Sequence, residues 1–122
     1  MSEMTLPEFA DQLSFDEYQH RAAATAIYPY RGEGNIIYPT LGLTGEAGEI
    51  AEKVKKILRD NAGEVFNEHR LELAKELGDV LWYINALATE LDFDLKFIAA
   101  MNIAKLESRQ ERDQLQGSGD NR

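Results

Sequence analysis

Apolar residues recur along most of the chain at intervals of three and four positions, the spacing that places them on one face of a helix. Four such stretches are separated by short segments rich in glycine, asparagine, aspartate or proline. No stretch alternates apolar and polar residues for long, so strands are not expected. The pattern predicts helices over residues 14–27, 38–60, 68–91 and 95–113; the second begins between residues 38 and 44, and the third at residue 67 or 68.

Residues with capping or helix-breaking chemistry lie between these stretches. Ser14 followed by Glu17 has the form of a capping box. Glycines and a proline within residues 28–35 predict a mobile loop, and Asn-Ala-Gly at 61–63 predicts the end of the second helix. An acid in the Asp-Phe-Asp segment at 92–94 can cap the fourth helix.

Short connections between four helices predict an all-α, four-helix-bundle-like fold. At 122 residues the chain has the length of one domain. We divide it into an N-terminal segment (1–13), a helical domain (14–114) and a disordered tail (115–122) that contains Gly-Ser-Gly.

Composition narrows the chemistry. The chain has no cysteine, which excludes disulfides, thiolate zinc sites and cysteine nucleophiles, and its two histidines leave carboxylates as the main candidate metal ligands. A formal net charge of −9 argues against nucleic-acid binding, but it allows a polyphosphate ligand if divalent cations bridge the two. We see neither the basic and apolar regions of a signal peptide nor an apolar run of about 20 residues. We therefore expect a soluble cytoplasmic protein without membrane contact.

One pattern, Leu-x-x-Glu-x-Gly-acid followed by a β-branched residue, occurs twice, over residues 43–50 and 73–80. At about 100° per residue, each glutamate lies about 60° from the first leucine, and the second acid lies about 120° away on the same side. Each helix therefore carries two acids, three residues apart, at the edge of its buried face. The four acids are Glu46, Glu49, Glu76 and Asp79.

If the second and third helices pack antiparallel, these carboxylates converge into an all-oxygen site, which suits Mg²⁺ or Mn²⁺ rather than zinc. A cation would offset the repulsion among like charges held so close together. Gly48 and Gly78 agree with such a site, because a glycine within a helix costs about 1 kcal/mol and is usually compensated by close approach of a backbone or ligand. The alternative is that the acids form ordinary solvated helix faces.

Three polar residues of the fourth helix, Asn102, Lys105 and Arg109, lie near its apolar stripe. Polar groups so close to a buried face need partners, and beside a carboxylate and metal cluster they can hold phosphate oxygens. The alternative is that the helix outruns the bundle and exposes the two cations, while Asn102 sets the packing register. Lys53 and Lys56, on the Glu49 side of the second helix, are secondary candidates for holding phosphate, with surface ion pairing as the alternative.

The two acid motifs, a spacer of 26 residues between them, and the three polar residues of the fourth helix resemble the MazG-like all-α nucleoside triphosphate pyrophosphohydrolases. The segments YPTLGLTGEAGEIAEKVKK and KELGDVLWY are similar to the compact single-domain branch of that family, and the resemblance covers about residues 15–110. Many members have a glutamate directly before the first motif acid, where this chain has Gly45. One or two metal ions are therefore compatible with the motif.

The resemblance implies hydrolysis of (deoxy)nucleoside triphosphates to the monophosphate and pyrophosphate, with Mg²⁺ or Mn²⁺ held by the four motif acids. It implies catalytic roles for Glu46 and Glu49, with Glu49 a candidate base for the attacking water. The candidate substrate-binding residues are Asn102, Lys105, Arg109, Tyr83 and Lys53.

Aromatic side chains are candidates for stacking on a nucleobase. Tyr83 is the best placed, since it lies on the same side of the third helix as Asp79. The others are Tyr28, Tyr30, Tyr38 and Trp82. The alternative is that these residues belong to the core.

Family members assemble as dimers or tetramers with active sites built by more than one chain. Apolar residues off the main stripe of the third helix, Leu81 and Ala88, agree with a homodimer or homotetramer. Two other functions stay open: a phosphoribosyl-ATP pyrophosphatase on the same fold, and a non-catalytic helical interaction module whose acids are solvated.

Overall fold

The computed structural model describes residues 5–113 and 116–121, and within these ranges it contains helices and no strand. A short 3₁₀ helix (Glu8–Gln12) precedes four α-helices. These are α1 (Phe15–Ala23), α2 (Ile37–Asn61), α3 (Asn67–Glu90) and α4 (Leu95–Glu111). The predicted all-α fold of four helices is confirmed. The division into segments at 13/14 and 114/115 stays a prediction; residues 1–4, 114, 115 and 122 lie outside the described ranges.

The two long helices, α2 and α3, form an antiparallel hairpin. Gly42, near the start of α2, lies against Tyr83 in the second half of α3. Lys53, further along α2, reaches back to Glu72 in the first half of α3. The order of the contacts therefore runs in opposite directions along the two helices, which is the arrangement that the duplicated acid motif requires.

The ends of α2 follow local chemistry. At the start, the Asn35 side-chain oxygen accepts hydrogen bonds from the N–H groups of Ile37 (3.1 Å) and Tyr38 (3.4 Å). At the end, Ala62 is left-handed with φ of 52°, and the Gly63 N–H donates to the Ile57 carbonyl at 3.2 Å. This is a left-handed C-terminal cap of the kind that the Asn-Ala-Gly segment predicted.

The first helix is shorter than predicted, ending at Ala23 instead of near residue 27. The Ser14 hydroxyl accepts from the Glu17 N–H at 3.0 Å, so the predicted start is correct. At the other end the Thr25 hydroxyl donates to the Ala22 carbonyl at 2.7 Å. This local bond competes with the helical hydrogen bonds, and the chain turns away.

A single side chain of α1 fixes the start of α4. The Gln19 side-chain oxygen accepts from the Leu95 N–H at 2.9 Å, and its nitrogen donates to the Phe93 carbonyl at 3.1 Å. Asp94 occupies the N-cap position, but its side chain makes no capping hydrogen bond, so the prediction of an acidic side-chain cap there was wrong. Among the described residues, α4 packs against α1 and α3 and does not contact α2.

The loop between α1 and α2 closes around the buried carboxylate of Glu90, at the end of α3. Glu90 accepts from the N–H groups of Gly32 (2.9 Å), Gly34 (3.0 Å) and Asn35 (3.0 Å), and from the Tyr28 hydroxyl. The two glycines have φ of 81° and 76°, which they adopt more readily than other residues. Three backbone donors thus converge on one carboxylate; the mobility of this loop stays a prediction.

The predicted apolar stripes are only partly covered in one chain. Ile57 and Leu95 are buried, but Val54, Leu77 and Leu106 are exposed by 48%, 58% and 39%. No helix in the described ranges is both long and apolar enough to cross a membrane.

Candidate functional site

Three carboxylates meet across the α2–α3 hairpin. One oxygen each from Glu46 on α2 and from Glu76 and Asp79 on α3 lie within 4.8 Å of one another. Glu46 and Glu76 are half-buried and Asp79 is exposed, so the group is open to solvent on one side. The hairpin produces this convergence because the two acid motifs face each other when the helices run antiparallel.

The electrostatics of the cluster are those of a site for a cation. Burial, then the negative charges of Asp79 and Glu76, raise the pKa of Glu46 above its ordinary value. Like charges at such distances disfavour one another's ionised form unless a positive charge is present. Three oxygen donors of this kind fit Mg²⁺ or Mn²⁺, which prefer carboxylate and water ligands.

Glu49, the fourth predicted acid, is not part of this three-residue group. It is exposed, one helical turn beyond Glu46 on α2, and its charge contributes to the raised pKa of Glu46. The structure therefore brings three of the four predicted ligands together and leaves Glu49 beside them. Its roles as ligand and as base stay predictions.

Lys53 supplies positive charge at the edge of the cluster. Its ammonium lies 3.7 Å from a Glu76 oxygen and 3.9 Å from a Glu72 oxygen. Lys56 instead lies 4.0 Å from Glu52, where both side chains are exposed. Lys53 is thus next to the candidate metal centre, whereas Lys56 makes the surface ion pair that was its alternative.

An aromatic wall stands beside the acids. A surface cavity is lined by Glu46 and Asp79 together with Thr25, Trp82 and Tyr83. The Tyr83 ring packs edge-on against Trp82, with ring centroids 5.0 Å apart. Its place on the Asp79 side of α3, expected from the sequence, puts Tyr83 at the cluster.

The glycines behave differently from the prediction. A Cβ added at Gly48 or Gly78 would meet no described protein atom within 4 Å, so the expected approach of a backbone is absent there. The close approach occurs at Gly42, where a Cβ would overlap the Tyr83 ring. Gly42 is therefore the position at which the hairpin requires glycine.

The other predicted aromatics divide between core and surface. Tyr28 is buried and stacks on Tyr38, with ring centroids 5.2 Å apart. Tyr30 is 72% exposed in the loop. Tyr18 on α1, which the sequence did not single out, lies near the acids, since burial and then the Asp79 charge raise its pKa.

The polar residues of α4 do not reach the acid cluster within one chain. The Lys105 ammonium lies 3.1 Å from the Asp120 carboxylate, and Arg109 donates to the Asp120 carbonyl at 2.7 Å. Arg109 is only 3% exposed, so its alternative as a solvated cation was wrong, while Asn102 is exposed. Phosphate binding by these three residues stays a prediction, as does disorder of the tail.

Two polar residues of α3 escaped the sequence analysis. Glu90 was missed because its donors, three backbone N–H groups of the loop and the Tyr28 hydroxyl, lie 55 to 62 residues earlier in the chain. Asn85 is 2% exposed and lines a cavity between α1, the loop and α3. Its one available signal was an amide placed between Ile84 and Ala86 in an otherwise apolar segment.

Comparisons with known proteins identify the family of the chain. Residues 39–112 match the sequence model of the family described as "MazG nucleotide pyrophosphohydrolase domain". The chain is also similar to the Gene 37 protein of Mycobacterium phage L5, with 53% identity over 111 residues that cover 88% of this chain and 97% of that protein. No solved structure matches the chain. The matched region contains α2 from its third residue onward, all of α3 and α4, and all three clustered acids. The chain belongs to the MazG nucleotide pyrophosphohydrolase domain family.

Proposed function

We propose that this protein hydrolyses nucleoside triphosphates, or their deoxy forms, to the monophosphate and pyrophosphate in a reaction that depends on Mg²⁺. The observation that carries the proposal is the convergence of Glu46, Glu76 and Asp79 across the α2–α3 hairpin. The family to which the chain belongs supplies the reaction class. Mn²⁺ would serve in place of Mg²⁺, because both take oxygen ligands.

The chain's own residues divide the work. Glu46, Glu76 and Asp79 would hold the cation, which when bound would polarise water and offset charge on the phosphate oxygens. Glu49, exposed one turn along α2, accepts the proton of the water that attacks the α-phosphorus, and pyrophosphate leaves. Glu46 would contribute to catalysis as one of the three carboxylates that position the cation.

Positive side chains orient the phosphates. Lys53 is already beside Glu76 and can exchange that ion pair for a phosphate oxygen. Lys105, Arg109 and Asn102 serve the same substrate from the α4 helix of a second chain, since α4 does not meet α2 within one chain. In this proposal Lys105 and Arg109 exchange their contacts with Asp120 for phosphate oxygens. Tyr83 stands at the edge of the acid cavity and contacts the nucleoside.

A homodimer or homotetramer would cover the apolar residues left open in one chain. Leu41, Leu58 and Leu77 are exposed by 67%, 68% and 58%. Of the two off-stripe residues that suggested an interface, Leu81 is exposed by 38%, but Ala88 is buried within the chain. Light scattering that gave the mass of one chain, 13.8 kDa, at micromolar concentration would contradict the oligomer.

The test is pyrophosphate release from a panel of canonical and modified nucleoside triphosphates with Mg²⁺, Mn²⁺ or EDTA. Release should need the metal and should fall in Glu46→Gln by more than the roughly 10- to 100-fold cost of losing an outer partner of a metal ligand. Glu52→Gln is the matched control, because Glu52 is on the same helix but pairs with Lys55 at 3.0 Å.

Equal release in EDTA, or an unaffected Glu46→Gln, would contradict the proposal. If no nucleoside triphosphate of the panel releases pyrophosphate but phosphoribosyl-ATP is hydrolysed, that compound is the substrate. If neither the panel nor phosphoribosyl-ATP is hydrolysed, and Mg²⁺ does not change the melting temperature, the protein is a non-catalytic interaction module.

A further inference from the structure

A second cavity lies behind the aromatic wall of the acid site. It has a volume of about 180 Å³ and is bounded by α1, the loop and α3. Its walls include Ala22, Ala26 and Trp82, and Trp82 also lines the cavity that contains Glu46 and Asp79. Arg31 and Thr89, both exposed, lie at its rim. The two cavities therefore share one side chain as a common wall.

One polar atom in this cavity's lining lacks a partner. The Asn85 side-chain nitrogen donates to the Gln19 carbonyl at 3.5 Å, a long hydrogen bond. Its side-chain oxygen is buried and has no hydrogen-bond partner among the described residues. Leaving such an acceptor unsatisfied costs about 1–3 kcal/mol, so native proteins rarely keep one without a reason.

The size of the cavity restricts what can supply the missing donor. An apolar cavity of about 150 Å³ is known to accommodate benzene, so about 180 Å³ accommodates one six-membered ring with small substituents. Trp82 and Tyr28 give it aromatic walls, with ring centroids 6.4 Å apart and nearly perpendicular planes. A fused double ring exceeds this volume and would protrude through the open side of the cavity.

We propose that this cavity binds the single-ring, pyrimidine base of the substrate, with a ring or amino N–H of the base donating to the Asn85 side-chain oxygen. The proposal rests on the proposed function, because the shared Trp82 wall would leave the phosphates on the side of the acid cluster. It makes Asn85 a specificity-determining residue, and it selects pyrimidine over purine nucleotides by volume.

The test measures nucleoside binding in EDTA, where the acid cluster plays no part. Trp82 is the only tryptophan of the chain and lines both cavities, so its fluorescence reports on a ligand in either one, and the variants described below assign the signal to this cavity. Cytidine or uridine should perturb that fluorescence in a saturable way, and adenosine and guanosine should not. Asn85→Leu should weaken pyrimidine binding about ten-fold or more, since the acceptor for the base is lost.

Two further variants keep the result interpretable. Asn85→Leu replaces an unsatisfied acceptor, together with one long hydrogen bond to the Gln19 carbonyl, by an apolar group of similar size, so the melting temperature should change little. Ala26→Leu should also reduce binding, by filling the cavity. Asn67→Ala, an exposed amide at the start of the same helix, is the control and should bind as the parent does.

The outcomes separate this proposal from the hydrolysis reaction. Equal binding of adenosine and uridine, no binding of either, or undiminished uridine binding by Asn85→Leu would each overturn the pyrimidine cavity, whatever the turnover. Pyrimidine binding without pyrophosphate release from any nucleotide would leave the cavity in place and overturn the proposed function.

Discussion

Helix α3 carries acids in two opposite surroundings: a single carboxylate, Glu90, at its end, and a group formed by Glu76 and Asp79 with Glu46 of α2. Glu90 is buried among protein donors, and although burial raises its pKa, the N–H groups of the loop and the Tyr28 hydroxyl bring it below the ordinary value of 4.5. Glu76 and Asp79 instead face Glu46, whose pKa burial and those two charges raise. The protein itself satisfies the first carboxylate, while the second group is the proposed site of a cation from outside. Burial alone therefore does not distinguish a structural acid from a functional one.

The largest expected effect is on the second group. Asp79→Asn should remove Mg²⁺-dependent pyrophosphate release by more than about 100-fold, beyond the cost of losing an outer partner of a ligand. It should also raise the metal-free melting temperature slightly, because one of three repelling charges is gone. Turnover and melting in EDTA measure the two changes; a fall in both would mean that Asp79 acts chiefly as a structural residue.

Glu90→Gln should have the reverse signature. A glutamine keeps one acceptor but turns an amide toward the backbone donors of the loop, leaving part of them unsatisfied. We expect a loss of about 1–3 kcal/mol in the free energy of unfolding, with no loss of Mg²⁺ affinity. Urea denaturation and calorimetric Mg²⁺ titration test this, and Glu33→Gln, an exposed loop acid, is the control. Weakened Mg²⁺ binding in Glu90→Gln would contradict the division between a structural Glu90 and the proposed metal ligands.

The pH dependence of stability should follow Glu90. Its pKa is lower in the folded than in the unfolded chain, so its contribution is complete above the ordinary value of 4.5 and declines as the pH falls through the folded-state value. The stability of the parent should therefore drop on acidification in that range. The curve of Glu90→Gln should be flatter there, as measured by urea midpoints; parallel curves would show that Glu90 is not the titrating group.

The smallest effect concerns the space beside the acid cluster. Gly48→Ala should stabilise the metal-free protein by up to about 1 kcal/mol, since an added Cβ meets nothing and helix propensity improves. Gly42→Ala, the matched substitution six residues earlier in α2, should destabilise it, because the Tyr83 ring occupies that space. The melting temperatures of both variants in EDTA test this prediction. Destabilisation by Gly48→Ala would show that a second chain covers the face of α2 at Gly48.

Local rules account for what the sequence predicted. Helical periodicity located all four helices. The Asn-Ala-Gly segment predicted the end of α2, so that only a short turn separates it from α3. If two helices joined by a short turn pack antiparallel, the spacing of the acids places Glu46 opposite Glu76 and Asp79, as observed. The same spacing predicted that Glu49 would join them, and it is not part of the three-residue group. The position of Tyr83 on the same side of α3 as Asp79 followed from the same rotation of about 100° per residue.

Tertiary contacts account for what it missed. The end of α1 depends on a threonine hydroxyl that also accepts from the Trp82 ring nitrogen at 2.8 Å, a contact that only the packing of α1 on α3 creates. The environments of Asn85 and Glu90 arise where the loop folds back on α3. Arg109 is buried by residues of the tail, and no periodicity within α4 predicts that.

The Gln19 side chain, which holds the backbone at the junction of α3 and α4, makes the placement of α4 conditional on α1. The Leu95 amide proton is consequently shielded only while α1 is docked. Its exchange with deuterated solvent should therefore occur together with that of the α1 amides, as one cooperative opening unit separate from the α2–α3 hairpin. Exchange of this single amide would thus report the opening of α1 and of the start of α4 while the acid cluster stays assembled.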